Sequence, residues 1–236
     1  MTILAIDTAT KVCSAALVRN DTVVAEISKV ASQQHSELLL PFVDQAMKQA
    51  KLTVSDLDRL AVSIGPGSFT GLRIGLSVAK GIAAGAEIPI VPVPTMDAIA
   101  YNAFRLNGGG TKVSVILPAR RREYYYSRYR RSEGKPECIS DIRVVTTDEL
   151  IAILSELSAD GIAGEGIEKF FEDIKPDASH NEPVAVRIRE ALDKKLDMIT
   201  SATTGLMYKY YETVDASFLE PLYIKQFESG SARYKQ

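Results

Sequence analysis

One run, from Ser63 through Lys80 (Ser-Ile-Gly-Pro-Gly-Ser-Phe-Thr-Gly-Leu-Arg-Ile-Gly-Leu-Ser-Val-Ala-Lys), restricts the fold of this chain more than any other segment. The stretch Leu60-Ala61-Val62-Ser63-Ile64 leads into it and reads as a buried strand. Gly65-Pro66-Gly67 ends that strand, because proline has no N–H for a ladder and glycine accepts positive φ. Ser68 or Thr70 then caps a helix by accepting a bond from a free N–H of its first turn. The helix carries a small residue at every fourth position: Gly71, Gly75, Ala79 and Ala83. Glycine inside a helix costs about 1 kcal/mol against alanine, so some close approach must offset it. Two uses fit such a smooth stripe: tight packing within the fold, or docking of a partner subunit.

Length and composition narrow the classes available. The chain has 236 residues, 46% of them hydrophobic, enough for one large or two modest domains. A net charge of −2 creates no global field toward nucleic acid or membrane. Cys13 and Cys138 lie far apart beside apolar residues, which predicts buried free thiols in a reducing compartment. The chain starts directly on the strand Thr2–Ile6, with no basic region or cleavable apolar core ahead of it. No apolar run approaches the ~18 residues of a membrane span, so a soluble cytoplasmic protein is expected.

Two α/β units follow from the order of the segments. Ile3–Asp7, Ser14–Val18 and Val23–Ile27 read as an antiparallel meander, turning at Thr8–Lys11 and at Asn20-Asp21. His35–Leu52 reads as a helix with Leu39, Val43, Ala46 and Ala50 on one face. After the Leu60–Ile64 strand and the small-residue helix come a strand over Ile88–Val93 and a helix over Thr95–Phe104. Asn107-Gly108-Gly109-Gly110 is the clearest break. Beyond it, strands are expected at Val113–Leu117, Glu123–Tyr129 and Gly161–Gly164, and helices at Thr147–Leu157 and Glu190–Glu212, the last interrupted near Thr200. Both halves open on hairpin strands and continue with helix–strand alternation, which predicts two related lobes and a cleft between them. The expected division is 1–106, 111–216, and a tail over 217–236 packing back on the first lobe.

The segments Ile3-Leu4-Ala5-Ile6-Asp7-Thr8-Ala9-Thr10, Gln34–Pro41, Gly65–Lys80 and Pro221-Leu222-Tyr223-Ile224-Lys225 occur in an order that resembles the bacterial TsaB (YeaZ) family. The block Gly65–Arg73 is highly specific; the opening Asp-Thr strand alone is weak. The resemblance implies an α/β, actin-like (ASKHA, sugar-kinase/Hsp70-like) fold of two lobes, each a mixed sheet with flanking helices. It implies a subunit that pairs with the catalytic paralogue TsaD. With the ATPase TsaE, that pair transfers threonylcarbamoyl to adenosine 37 of tRNAs reading codons that start with A. Relatives usually show Asp-Ala-Arg-Arg-Gly-Glu where this chain reads Pro118-Ala119-Arg120-Arg121-Arg122-Glu123, and Gly-Asp-Gly where it reads Gly164-Glu165-Gly166.

The resemblance also shows what this chain lacks. A catalytic paralogue needs His-x-x-x-His after the small-residue helix and its strand, so that both imidazoles share an ion on one helical face. Matched from the Gly-Pro-Gly block, those places hold Thr95 and Ile99, and the chain's two histidines, His35 and His180, are remote in order. A histidine-rich metal site is excluded, while carboxylate sites stay open; no cofactor and no catalytic residue are assigned. The expected reading is a non-catalytic scaffold, homodimeric when alone. Its interface with TsaD is expected to use His35, Leu39, Val43 and Ala46 of one helix and Gly71, Leu72, Gly75 and Ala79 of the other. Asp7, Thr8 and Thr10 stand at the hairpin where actin-like ATPases hold metal-bound phosphate, and Gly164 and Gly166 stand where an adenosine would rest. Each has an ordinary structural alternative as a turn cap or strand-to-helix turn. His35 likewise has a capping alternative. Arg120–Arg122, Arg128, Arg130, Arg131 and Lys135 cluster among Tyr124, Tyr125, Tyr126 and Tyr129. Arg128, Arg130 and Arg131 are the candidate tRNA contacts, against the alternative of a half-buried hairpin. A protease is excluded, since no serine stands in a nucleophile elbow. A stand-alone ATPase or small-molecule kinase of the same fold is the rival reading.

Overall fold

The computed structural model describes residues 1–31, 34–106, 110–157, 160–174, 184, 186 and 200–222. The first sheet is built from β1 (Thr2–Asp7), β2 (Val12–Arg19), β3 (Thr22–Val30), β4 (Arg59–Gly65) and β5 (Ile90–Pro94) in the order β3-β2-β1-β4-β5. β1, β2 and β3 run antiparallel as the meander requires, while β4 and β5 join β1 in parallel. Asn20 and Asp21 both take positive φ, the backbone a two-residue hairpin turn demands.

β1 is apolar on both faces because both faces are covered. Leu4 and Ile6 point into one core with residues of α1 (His35–Ala50) and α2 (Phe69–Ala86). Ile3 and Ala5 point into the other, with α3 (Thr95–Arg105) and the second sheet. Alternation of side chains along a strand produces this division. α2 starts where Ser68 Oγ accepts from Gly71 N–H at 3.2 Å, so Ser68 and not Thr70 is the cap. The Gly65–Pro66 peptide is cis.

The second sheet contains β6 (Lys112–Arg120), β7 (Glu123–Arg130), β8 (Glu137–Cys138), β9 (Arg143–Thr146) and β10 (Gly161–Gly164). Its order is β10-β6-β7-β8, with β9 also paired to β7. α4 (Thr147–Glu156) begins with a reciprocal cap between Thr146 and Glu149, and α5 (Ile167–Ile174) follows β10. Short strands β8 and β9 and helix α5 have no counterpart in the sequence reading. Asp97 of α3 accepts from Tyr129 of β7 at 2.8 Å and from Tyr211, fastening the two lobes and the returning chain together.

The interruption expected near Thr200 within Glu190–Glu212 is present, but the helix beyond it stops short of Glu212. Thr200 is extended, a short helix α6 covers Ser201–Leu206, and a 3-10 turn follows at Tyr208–Tyr210. Residues 190–199 lie outside the described residues. α6 already packs on the first sheet: Ser201 N–H donates to Ser14 Oγ at 2.9 Å. Val214 bridges Ile90, Leu219 is buried in the first-lobe core, and Leu222 N–H donates to the Ile64 carbonyl at 2.7 Å. Chain return therefore starts near residue 200 rather than after 216. Asn107–Gly109, Tyr223–Lys225 and His180 lie outside the described residues. No described helix is long and apolar enough to cross a membrane.

Candidate functional site

A cleft of about 330 Å³ lies between the lobes, lined by the β1–β2 turn, His35, Gly67 and Ser68, Leu117 and Pro118 of β6, and Glu165. This is where the sequence places Asp7, Thr8, Thr10, Gly164 and Gly166. Of these five only Thr10 lines the cleft itself, and the polar groups of Asp7, Thr8 and Thr10 are turned onto the chain. Asp7 is fully buried and accepts from Ser63 Oγ, from Thr204 Oγ1 at 2.9 Å and from Ala9 N–H at 3.0 Å. Burial pushes its carboxyl above the ordinary range, and those hydrogen bonds draw it partly back. Thr8 Oγ1 donates to the Gly71 carbonyl at 2.7 Å. Thr10 Oγ1 accepts from Val12 N–H at 3.2 Å. The Thr10 carbonyl takes a bond from His35 Nε2 at 3.0 Å, and because a carbonyl only accepts, that nitrogen carries the proton.

Glu165 crosses the cleft. Its Oε1 accepts from Lys11 N–H at 2.8 Å, so a carboxylate of the second lobe holds an amide of the first lobe's hairpin turn. That turn amide is the type of donor that would otherwise face an anion. Gly164 has φ +136, and any Cβ there would overlap the Ile116 carbonyl oxygen. The Pro118 ring covers Gly166, where a Cβ would stand 3.1 Å from Pro118 Cδ. Pro118 thus fills space against the glycine turn. Cys13 lies in the first-lobe core, and burial, reinforced by the charge of Asp7, pushes its thiol up to about 11. Cys138 is exposed rather than buried, unlike the sequence expectation, because β8 is a two-residue edge strand.

The places where a catalytic paralogue needs imidazoles are interior. Thr95 is fully buried and Ile99 nearly so, both at the first turns of α3. Among the described residues, no group of three or more His, Cys, Asp or Glu side chains is placed to share a metal ion.

The two helices expected to dock a partner require a correction. His35, Leu39, Ala46, Gly71, Leu72, Gly75 and Ala79 all face inward and are buried by the chain's own strands. A Cβ on Gly71 would overlap the Thr8 carbonyl oxygen, and one on Gly75 the Thr8 hydroxyl. Gly71 and Gly75 therefore seat α2 against Thr8 at the β1–β2 turn, and none of these seven residues is exposed to a partner in this form. Gly75→Leu and Ala79→Arg would disrupt the monomer, not a docking surface alone. Val43 alone of the eight is half-buried. It lines a groove of about 460 Å³ with Leu40, Met47, Leu52, Val54 and Ile82. The opposite side of α2 presents Arg73, Ser77, Gly81, Ala84 and Gly85 to solvent, and a Cβ on Gly81 or Gly85 would meet nothing within 4 Å. No packing within the described residues asks for glycine at either position. This second small-residue pair, spaced i and i+4, was visible in the sequence and points outward.

The arginine–tyrosine stretch is largely structural. Tyr124, Tyr126 and Tyr129 are buried. Arg128 makes a bidentate pair with Asp160, whose side chain is 2% exposed; one arm is Nη2 to Oδ1 at 2.9 Å. Arg130 pairs with Glu137 on the surface, at 2.6–3.0 Å. Arg131 donates to the Phe104 carbonyl at 2.7 Å and the Gly110 carbonyl at 3.2 Å. Arg128 and Arg130 are thereby neutralised by carboxylates; Arg131 keeps its charge.

Two mixed sheets flanked by helices, with a cleft between lobes, define an actin-like two-lobed protein. A family model described as "TsaD: tRNA N6-adenosine threonylcarbamoyltransferase" matches residues 23–218. The tRNA threonylcarbamoyladenosine biosynthesis protein TsaB of Escherichia coli (strain K12) is 33% identical over 228 residues, covering 95% of each chain. TsaB of Bacillus subtilis (strain 168) is 36% identical over 151 residues, 64% of this chain and 65% of that one. The structure of YeaZ from Pseudomonas aeruginosa superposes with a TM-score of 0.72 at 24% identity, over 94% of this chain and 100% of that one. The chain belongs to the TsaB branch of this family.

Proposed function

We propose that this chain is the non-catalytic subunit in making threonylcarbamoyladenosine on tRNA. It supports a TsaD-type catalytic partner, with TsaE, at adenosine 37 of tRNAs reading codons that start with A, in the cytoplasm. The observation that carries this reading is the self-occupied cleft. Glu165 takes the Lys11 amide, Asp7 takes the Ala9 amide, and Pro118 covers Gly166. An actin-like enzyme must offer such amides to phosphate; here they are already satisfied, and opening them would cost hydrogen bonds of about 1 kcal/mol or more each. Thr95 and Ile99 supply no ligand where the catalytic paralogue needs imidazole.

The surface left for a partner is the outer side of α1 and α2. It combines the groove at Leu40 and Val43 with the bare backbone at Gly81 and Gly85. Leu40 is 55% exposed, and Phe69, 42% exposed, lies under the Arg73 guanidinium at 3.9 Å. An exposed apolar face of this kind rarely stays bare, so the chain self-associates through it when alone.

The test is reconstitution. Mixed with TsaD, TsaE, threonylcarbamoyl-adenylate and tRNA, the chain restores modification, while the lone chain neither binds ATP–magnesium at micromolar strength nor turns it over. Turnover by the lone chain would establish the kinase or ATPase reading instead.

A further inference from the structure

A second cavity lies away from the cleft, between the end of α3 and the segment after β7. It measures about 260 Å³ and is lined by Tyr101, Phe104, Arg105, Arg131, Gly134 and Pro136. Tyr101 and Tyr210 stand with ring centroids 6.1 Å apart, and Gly134 lies against the Tyr210 ring. The Arg131 guanidinium sits 5.2 Å from the Phe104 ring centre, fixed by the Phe104 and Gly110 carbonyls, which supply no counter-charge. Arg105 donates to Asn102 Oδ1 at 3.2 Å. Among the described residues, neither Arg105 nor Arg131 forms an ion pair with a carboxylate. Lys209 lies over the Tyr210 ring at 5.5 Å and is 3.3 Å from Asp21. Among the described residues, this places two guanidinium groups without a carboxylate partner beside tyrosine and phenylalanine rings.

We infer that this cavity holds one nucleotide of an RNA strand, its base against the Tyr101 side and its phosphate on Arg105 and Arg131. This rests on the reading that the chain works on tRNA, and gives that reading a contact point. Arginine suits the role because its planar fork takes two phosphate oxygens at once. Aromatic rings accept any base by stacking. Arg131 is pre-positioned by its two carbonyl bonds, so little side-chain freedom is lost on binding. An acidic peptide would use the arginines and leave the aromatic wall without a role, which is why the nucleotide is favoured.

The experiment is fluorescence anisotropy of a labelled single-stranded oligoribonucleotide with the full chain alone, over a range of salt. Arg105→Ala changes an exposed side chain and leaves the fold intact; it weakens binding about tenfold and lowers the magnitude of the salt slope by about 0.7. Tyr101→Leu keeps bulk but removes the ring face; it weakens binding about fivefold or more with the slope unchanged. Wild-type affinity in both variants would overturn the inference. So would equal competition by inorganic phosphate, which would mark a bare anion site, or by an acidic peptide. Because no partner is present, these results stand apart from reconstitution. Failure of the wild-type chain to restore modification would instead overturn the proposed function.

Discussion

Alanine at Gly71 and at Gly81 should move stability in opposite directions. Both glycines lie in α2, Gly71 buried against the β1–β2 turn and Gly81 exposed to solvent. At Gly81 a Cβ meets nothing within 4 Å, so alanine simply removes the helix penalty of glycine and stabilises by about 0.5–1 kcal/mol. At Gly71 the new methyl would overlap the Thr8 carbonyl oxygen and stand 3.1 Å from Ser68 Oγ. A main-chain carbonyl cannot rotate aside, so α2 or the hairpin must shift, and the Thr8–Gly71 and Ser68–Gly71 bonds distort. Overpacking of this kind costs about 1–3 kcal/mol, and the backbone obstacle puts it in the upper part of that range. After the helix gain, about 1–2 kcal/mol of destabilisation remains. For a chain of this size the midpoint moves by roughly 2–4 °C per kcal/mol, so Gly71→Ala falls by about 2–8 °C and Gly81→Ala rises by about 1–4 °C. Circular dichroism melts with urea titrations at one pH read both. Equal stability of the two variants, or a larger loss at Gly81, would mean that α2 presents its first stripe to solvent, and the assignment of inner and outer faces would be wrong.

Other outcomes follow from the same structure. Gly81→Leu or Gly85→Arg leaves the monomer melt near wild type and weakens pairing with TsaD at least tenfold, seen by light scattering or sedimentation. Asp7 has its carboxyl raised by burial, so the native state holds its proton to higher pH than the unfolded chain. Stability from this group is complete below the ordinary carboxylate value of about 4 and is lost as pH rises through the raised native value; Asp7→Asn flattens that decline in urea midpoints taken between pH 4 and 8. Arg128→Ala removes the guanidinium that pairs with the buried Asp160 carboxylate and costs about 2–3 kcal/mol, somewhat less than a fully buried pair because the guanidinium is 24% exposed. Arg130→Ala, on the surface, changes stability by less than about 1 kcal/mol in the same titration.

Much of the fold was legible because its signals are local. The meander, the strand–Gly-Pro-Gly–helix unit and strand Gly161–Gly164 follow from alternation, turn chemistry and a cap, which need no knowledge of distant residues. What could not be read is what stands opposite each face. Gly71, Gly75 and Ala79 carry the same spacing whether they meet a partner or Thr8, and only the three-dimensional course of β1 decides. Arg128 looked available because Asp160, its counter-charge, lies 32 positions later. The early return of Ser201–Leu206 to the first sheet has no periodic signature in six residues. Glu165 reads in sequence only as the middle of a glycine turn, and its bond to Lys11, 154 positions away, emerges only when the lobes meet. Gly81 and Gly85 are the exception: their solvent-facing position could have been deduced by rotating α2 away from its apolar side.

The central claim is that the chain acts through the outer faces of α1 and α2 and not through its cleft. The direct measurement is the rate of threonylcarbamoyladenosine formation in mixtures of TsaD and TsaE with three forms of this chain: wild type, Glu165→Gln and Gly81→Leu. Wild-type and Glu165→Gln chains should support the same rate, and Gly81→Leu should reduce it at least tenfold. A rate that collapses with Glu165→Gln and survives Gly81→Leu would contradict the account.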